Sequence, residues 1–177
     1  APDDTPYACT CATCTALGNT EKNATPAVTE LIIRLSQRFP KHFFFTTSYL
    51  TTQQVTDKQL PSNAGVIVSA IDYPLRRTDG KNEQDKKFAD QLDNWKKVTN
   101  NIYIWDYINN FDDYLTPFPI LKIAQQRLQF FKQHGASGIF FNGSGYSYSS
   151  FDEMRTFVLS SLLINPEPVS YTHLRAH

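Results

Sequence analysis

The sequence predicts an α/β fold: about four parallel strands with helices on their outer side. Two observations carry this. Short, almost uninterrupted apolar runs at 43–47, 65–71, 102–106 and 137–141 have the composition of strands buried on both faces. Between most of them lie stretches whose apolar residues recur at helical spacing, the alternation that builds a parallel sheet.

In chain order, Thr25 reads as an N-cap with Pro26 at the first helical position. Val28, Leu31, Ile32, Leu35 and Phe39 then form a stripe that stops at Pro40. Phe43-Phe44-Phe45-Thr46-Thr47 is the first strand, and the Gly-Val-Ile-Val run at 65–68 begins the second. The link at 51–63 between them has little helical pattern. Phe88, Leu92 and Trp95 mark a helix whose wet face carries Lys86, Lys87, Lys96 and Lys97, and Ile102-Tyr-Ile-Trp-Asp106 is the third strand. Pro119 opens a further helix, with Ile120, Ile123, Ala124, Leu128 and Phe131 on one face and Gly135 ending it. The fourth strand follows at 137–141. Ser150 with Glu153 has the spacing of a capping box for a last helix running to Pro166.

Seventeen basic residues balance seventeen acidic ones, so no net field favours nucleic acid or an anionic membrane. The longest apolar run, 157–164, is broken by serines and falls short of the ~20 residues of a membrane helix. Asn142-Gly-Ser-Gly145 lacks the third glycine of a dinucleotide-binding turn, which argues against nucleotide cofactors. Ala1-Pro2-Asp3-Asp4 reads as the exit of a preceding strand, so the sequence is expected to begin inside a longer gene. The stretch 169–177, Val-Ser-Tyr-Thr-His-Leu-Arg-Ala-His, resembles a translated sequencing adapter and is set aside as a non-native tail.

In parallel α/β folds chemistry gathers at the carboxyl ends of the strands. Here those ends carry Asp3 and Asp4, Tyr49, Asp72, then Trp105, Asp106 and Tyr107, and finally Asn142. Acids interleaved with aromatics suit a sugar: ring faces stack on its C–H patches, while carboxylates and amides bind its hydroxyls. Each Asp taken singly also reads as a turn former. Successive strand residues alternate faces, so Asp106 and both its neighbours cannot all face a site. Cys9, Cys11 and Cys14 bunch three thiols within six residues, which reads as a metal half-site, a disulfide with a spare thiol, or three packed thiols. Arg76 and Arg77 lie in a loop on the same edge, where a guanidinium can grip a uronic carboxylate or simply be solvated. Tyr146 and Tyr148 lie in a loop after the last strand that can wall a cleft.

The block from Asn101 to Pro119, with its Trp105-Asp106-Tyr107 and Pro117-Phe118-Pro119, closely resembles the signature of domain-of-unknown-function family 4838. Pro2-Asp3-Asp4 leading into the three cysteines, Gly138-Ile-Phe140 and the closing Leu162–Pro166 match it as well, so the resemblance spans about residues 1–168. It implies the C-terminal part of a (β/α)8 domain of glycoside-hydrolase type, from the end of strand four through helix eight. It also implies a bacterial setting outside the cytoplasm, a carbohydrate substrate, no cofactor, and as partner the missing N-terminal part of the same chain. By position it makes Asp4 the general acid, with Asp3 beside it and Asp106 as nucleophile, base or sugar ligand. Tyr49, Asp72, Trp105, Tyr107 and Asn142 are the implied substrate contacts. Many relatives carry Glu-Gln-Gly where this chain has Phe141-Asn142-Gly143, which keeps open a carbohydrate-binding relative without catalysis. A thiol- or metal-dependent hydrolase built on the cysteines is the further alternative. A ring segment alone leaves two strand edges unpaired, so the isolated piece is expected to aggregate or to be inactive on aryl glycosides.

Overall fold

The computed structural model describes residues 4–75, 81–143 and 149–167. Four strands, β1 (Phe44–Ser48), β2 (Ala64–Ser69), β3 (Ile102–Tyr107) and β4 (Gly138–Asn142), form one open parallel sheet in sequential order. A short helix α1 (Ala12–Ala16) precedes α2 (Thr25–Arg38), which leads into β1. Helix α3 (Glu83–Lys96) links β2 to β3, α4 (Leu121–Gln133) links β3 to β4, and α5 (Asp152–Ile164) follows β4. The β1–β2 link holds only a 3-10 turn at Leu50–Thr52, as its weak helical pattern predicts.

Every long helix covers the same face of the sheet. Ile32 of α2, Phe88, Leu92 and Trp95 of α3, and Phe130 and Phe131 of α4 pack with Val66, Val68, Ile102 and Ile104 in one core. Leu159 of α5 joins Ile108, Ile120 and Ala124 in a second cluster against Phe141. Even the helix-poor link contributes Val55 and Leu60 to that side. A doubly wound sheet, which the strand and helix pattern also allows, would need helices on both faces and a reversal in strand order. Sequential order with one-sided cover is instead the arrangement of consecutive units in a (β/α)8 barrel. Ser48 pins the layers together, its hydroxyl accepting from Gln91 Nε2 at 3.0 Å and Trp95 Nε1 at 3.2 Å and donating to Gln53 O at 3.1 Å.

The other face carries Phe43, Phe45, Ile67, Tyr103, Trp105 and Phe140, and no described helix covers it. Phe43 is 64% exposed and Phe140 56%. Its rings are ordered against one another: Phe43 on Phe45 at 6.5 Å, Phe45 edge-on to Tyr103 at 5.1 Å, and Trp105 edge-on to Phe140 at 5.4 Å. Gly65 is the register partner of Phe45 and Gly138 that of Tyr103, and a Cβ on either would run into the neighbouring ring.

Three helix starts differ from the sequence expectation; at α4 the N-cap is Ile120, so Pro119 precedes the helix instead of opening it. Thr25 lies inside α2 and donates its hydroxyl to Gln54 O at 3.0 Å. The first turn is capped from the preceding loop, Asn23 Oδ1 accepting from Thr25 N at 2.9 Å and Asn19 Oδ1 from Ala27 N at 3.0 Å. At α5 the Ser150–Glu153 capping box does not form. Phe151 stands at the N-cap with φ +55°, and Ser149 Oγ donates instead to Asp152 Oδ1 at 2.8 Å. Gly135, at φ +88°, ends α4 as expected.

Candidate functional site

The carboxyl ends of the strands bring Tyr49, Asp72, Tyr107 and Asn142 to one edge, where Asp4, from a segment without regular secondary structure, comes near them. Tyr49 leaves β1 in the extended conformation, and its hydroxyl meets the exposed carboxylate of Asp4. That hydrogen bond, with added burial and the charges of Asp4, Tyr107 and Asp72, raises the pKa of Tyr49 above its ordinary value. Tyr107, at the end of β3, has its pKa raised chiefly by burial, with Asp4 adding to the shift. Hydrogen bonds to Ser69 and Asn142 partly oppose it. Ser69 and Asn142 end the strands on either side, and Asn142 is the register partner of Tyr107. The result is a rim of two phenols, two carboxylates and an amide. Below it, on the same open face, the Trp105 indole meets the Phe140 ring, and its buried Nε1 has no hydrogen-bond partner among the described residues.

Asp106 does not join this group. Alternation along β3 turns Trp105 and Tyr107 to the open face and Asp106 into the helix layer, where its side chain is 1% exposed. Arg127 of α4, fully buried, grips it with two bonds: Nε to Oδ2 at 2.7 Å and Nη2 to Oδ1 at 2.6 Å. The backbone N–H of Tyr107 donates to Asp106 Oδ1 at 2.9 Å. The guanidinium also donates to Pro74 O at 3.0 Å and lies 4.3 Å above the Tyr73 ring. Tyr73 in turn donates its hydroxyl to buried Asp85 at 2.7 Å. This network clamps the end of β3 to α4 and to the start of the β2–α3 link. The sequence signal for Arg127 was present: with Ile120, Ala124 and Phe131 it follows helical spacing on the inward stripe of α4, where a cation needs a buried acid.

A second buried cation sits further along the same edge. Arg155 of α5 donates to Ile108 O, Asn109 Oδ1 and Ser149 Oγ, and burial lowers its pKa. It ties the β3–α4 loop to α5 beside a cleft of about 310 Å³ on the helix side.

The three cysteines converge, their sulfurs lying within 4.8 Å of one another. The Cys14 N–H and the neighbouring thiols lower the pKa of Cys11, while hydrogen bonds to Cys11 and Cys9 push Cys14 up to about 11. The expectations for Asp3, Arg76, Arg77, Tyr146, Tyr148 and the 169–177 tail fall outside the described residues.

Fold and rim together define a one-sided parallel α/β protein of barrel type with its polar groups at the carboxyl ends of the strands. The chain belongs to the DUF4838 family, a domain of unknown function whose profile matches residues 1–174. That match runs past residue 168 into the stretch set aside above. No curated protein and no solved structure matches the chain.

Proposed function

We propose that the rim is the saccharide site of a glycoside-hydrolase-like domain, with Asp4 as its working carboxylate. The observation that carries this is the contact of Asp4 with Tyr49, on the same rim as Tyr107, Asp72 and Asn142 and above the Trp105–Phe140 pair. Asp4 is exposed, so a glycosidic oxygen can reach it, and it lies near enough to Tyr49 to raise the pKa of that phenol. Asp72, whose charge is felt at Tyr49, replaces Asp106 as the second carboxylate of the site. Tyr107 and Asn142, register partners at the ends of β3 and β4, offer a phenol and an amide to sugar hydroxyls. Such a role sets the protein in the periplasm or outside the cell of a bacterium, where polysaccharides are met.

The sequestering of Asp106 favours a second reading, a domain that binds saccharide without cleaving it. One experiment separates the two. Oligosaccharides containing acetamido sugars or glucuronic acid are titrated by calorimetry, and new reducing ends are counted in the same mixtures. Hydrolysis that Asp4→Asn slows by about 10²–10⁴-fold, with binding kept, supports the catalytic reading. Binding with no reducing ends supports the second. An Asp4→Asn protein that hydrolyses like the parent, or a parent that binds no saccharide, overturns the assignment.

A further inference from the structure

We infer that Cys9, Cys11 and Cys14 form a zinc site that anchors the loop carrying Asp4. The three sulfurs lie within 4.8 Å of one another. Tetrahedral Zn–S bonds of about 2.3 Å place sulfurs ~3.8 Å apart, so closure takes side-chain shifts of only ~1 Å. Thiolates in this number select zinc over the hard cations, which prefer oxygen. Three thiolates leave the fourth tetrahedral position open, and no imidazole or carboxylate joins the group among the described residues.

The backbone holding these thiols is fixed independently of them. Cys11 stands at the N-cap of α1 and Cys14 three residues on, which brings their side chains to one side of the turn. Asn19, 6% exposed, brackets the ends of the motif: its Nδ2 donates to Cys9 O at 3.2 Å and its backbone N–H to Cys14 O at 3.0 Å. The chain returns to meet it through Gly18 at φ +105°, and Ala8 N donates to Glu21 O at 2.7 Å. The segment from Asp4 to Cys11 has no regular secondary structure of its own. Binding adds the missing restraint: each thiol passes its proton to solvent as its sulfur bonds to the metal, with no change of oxidation state. Fixing Cys9 then restrains Asp4, five residues earlier, beside Tyr49.

The test uses the reduced chain, desalted without oxygen and titrated with CoCl₂. The expected result is an endpoint at one Co²⁺ per chain, with visible bands of tetrahedral cobalt and near-ultraviolet thiolate-to-cobalt charge transfer, all reversed by an equivalent of Zn²⁺. Cys9→Ser, Cys11→Ser and Cys14→Ser should each weaken or abolish these bands. Helix α1 buries none of its residues, so the variants should fold, and unchanged far-ultraviolet circular dichroism checks this. The pale spectrum of octahedral cobalt, bands that survive in all three variants, or fewer than three reactive thiols in the reduced, denatured parent would overturn the zinc site.

Discussion

Replacing Arg127 by Met asks whether Asp106 belongs to the architecture or to the chemistry. The side chains of the pair are 0% and 1% exposed and joined by two bonds of 2.6 and 2.7 Å. Without Arg127 the Asp106 carboxylate stays in the helix layer with only the Tyr107 N–H as a described partner. Breaking such a buried pair costs about 3–5 kcal/mol. Loss of the guanidinium from the Tyr73 face adds about 0.5–2 kcal/mol, offset in part by the methionine side chain filling the space. Against a total stability of about 5–15 kcal/mol this is a large fraction, and at about 2–4 °C per kcal/mol it lowers Tm by roughly 6–20 °C. Asp106→Asn should fall in the same range, because it leaves a buried guanidinium without its counter-charge. The double variant Asp106→Leu with Arg127→Met should recover most of the loss, since neither charge then stays buried alone. Urea unfolding followed by circular dichroism at neutral pH measures all three, the midpoint moving while the slope stays constant. An Arg127→Met protein within about 1 kcal/mol of the parent would refute the reasoning. So would an Asp106→Asn protein of parental stability that loses turnover on a saccharide, which would return Asp106 to the chemistry.

Two further outcomes follow from the rim and the open face. Tyr49 and Tyr107 should ionise above the ordinary tyrosine pKa of about 10, and Asp4→Asn should bring Tyr49 back toward it. Because both folded-state values are raised, the stability these phenols contribute is complete below about pH 10 and is lost as pH climbs through the folded values. Tyrosinate absorbance during alkaline titration reads the first effect, and unfolding at stepped pH reads the second. An unmoved titration in the Asp4→Asn protein would break the proposed contact. Among the glycines, Gly65→Ala should destabilise by about 1–3 kcal/mol, because its Cβ would overlap the Asn101 carbonyl oxygen, which is backbone and cannot swing aside. Gly138→Ala should cost less, since its clash is with the half-exposed Tyr103 ring at 2.5 Å. Equal losses in the two variants, measured by urea unfolding, would count against this ordering.

Much of the scaffold is written locally. Apolar runs of β-branched and aromatic residues placed all four strands to within a residue or two, and the stripes of α3 and α4 follow from helical spacing. Helix α2 instead buries Ile32 with Thr25, Thr29 and Ser36 and leaves Leu31 and Phe39 exposed. That Tyr49, Asp72, Tyr107 and Asn142 share one edge was legible because a parallel sheet puts every strand exit on the same side, whereas Asp4 lies in a segment without a strand. Alternation along β3 was legible too, since neighbouring side chains must oppose one another. Its phase was not. Ile102 and Ile104, in phase with Asp106, pack into the helix-side core, and Arg127, 21 residues later on α4, offsets the charge of the acid they carry inward. Likewise the caps of α2 come from Asn19 and Asn23 in a loop rather than from Thr25, and the one-sided helix cover exists only once every crossover has chosen its face. Spacing within a segment fixes which residues oppose one another; only contacts between distant segments decide which side is buried.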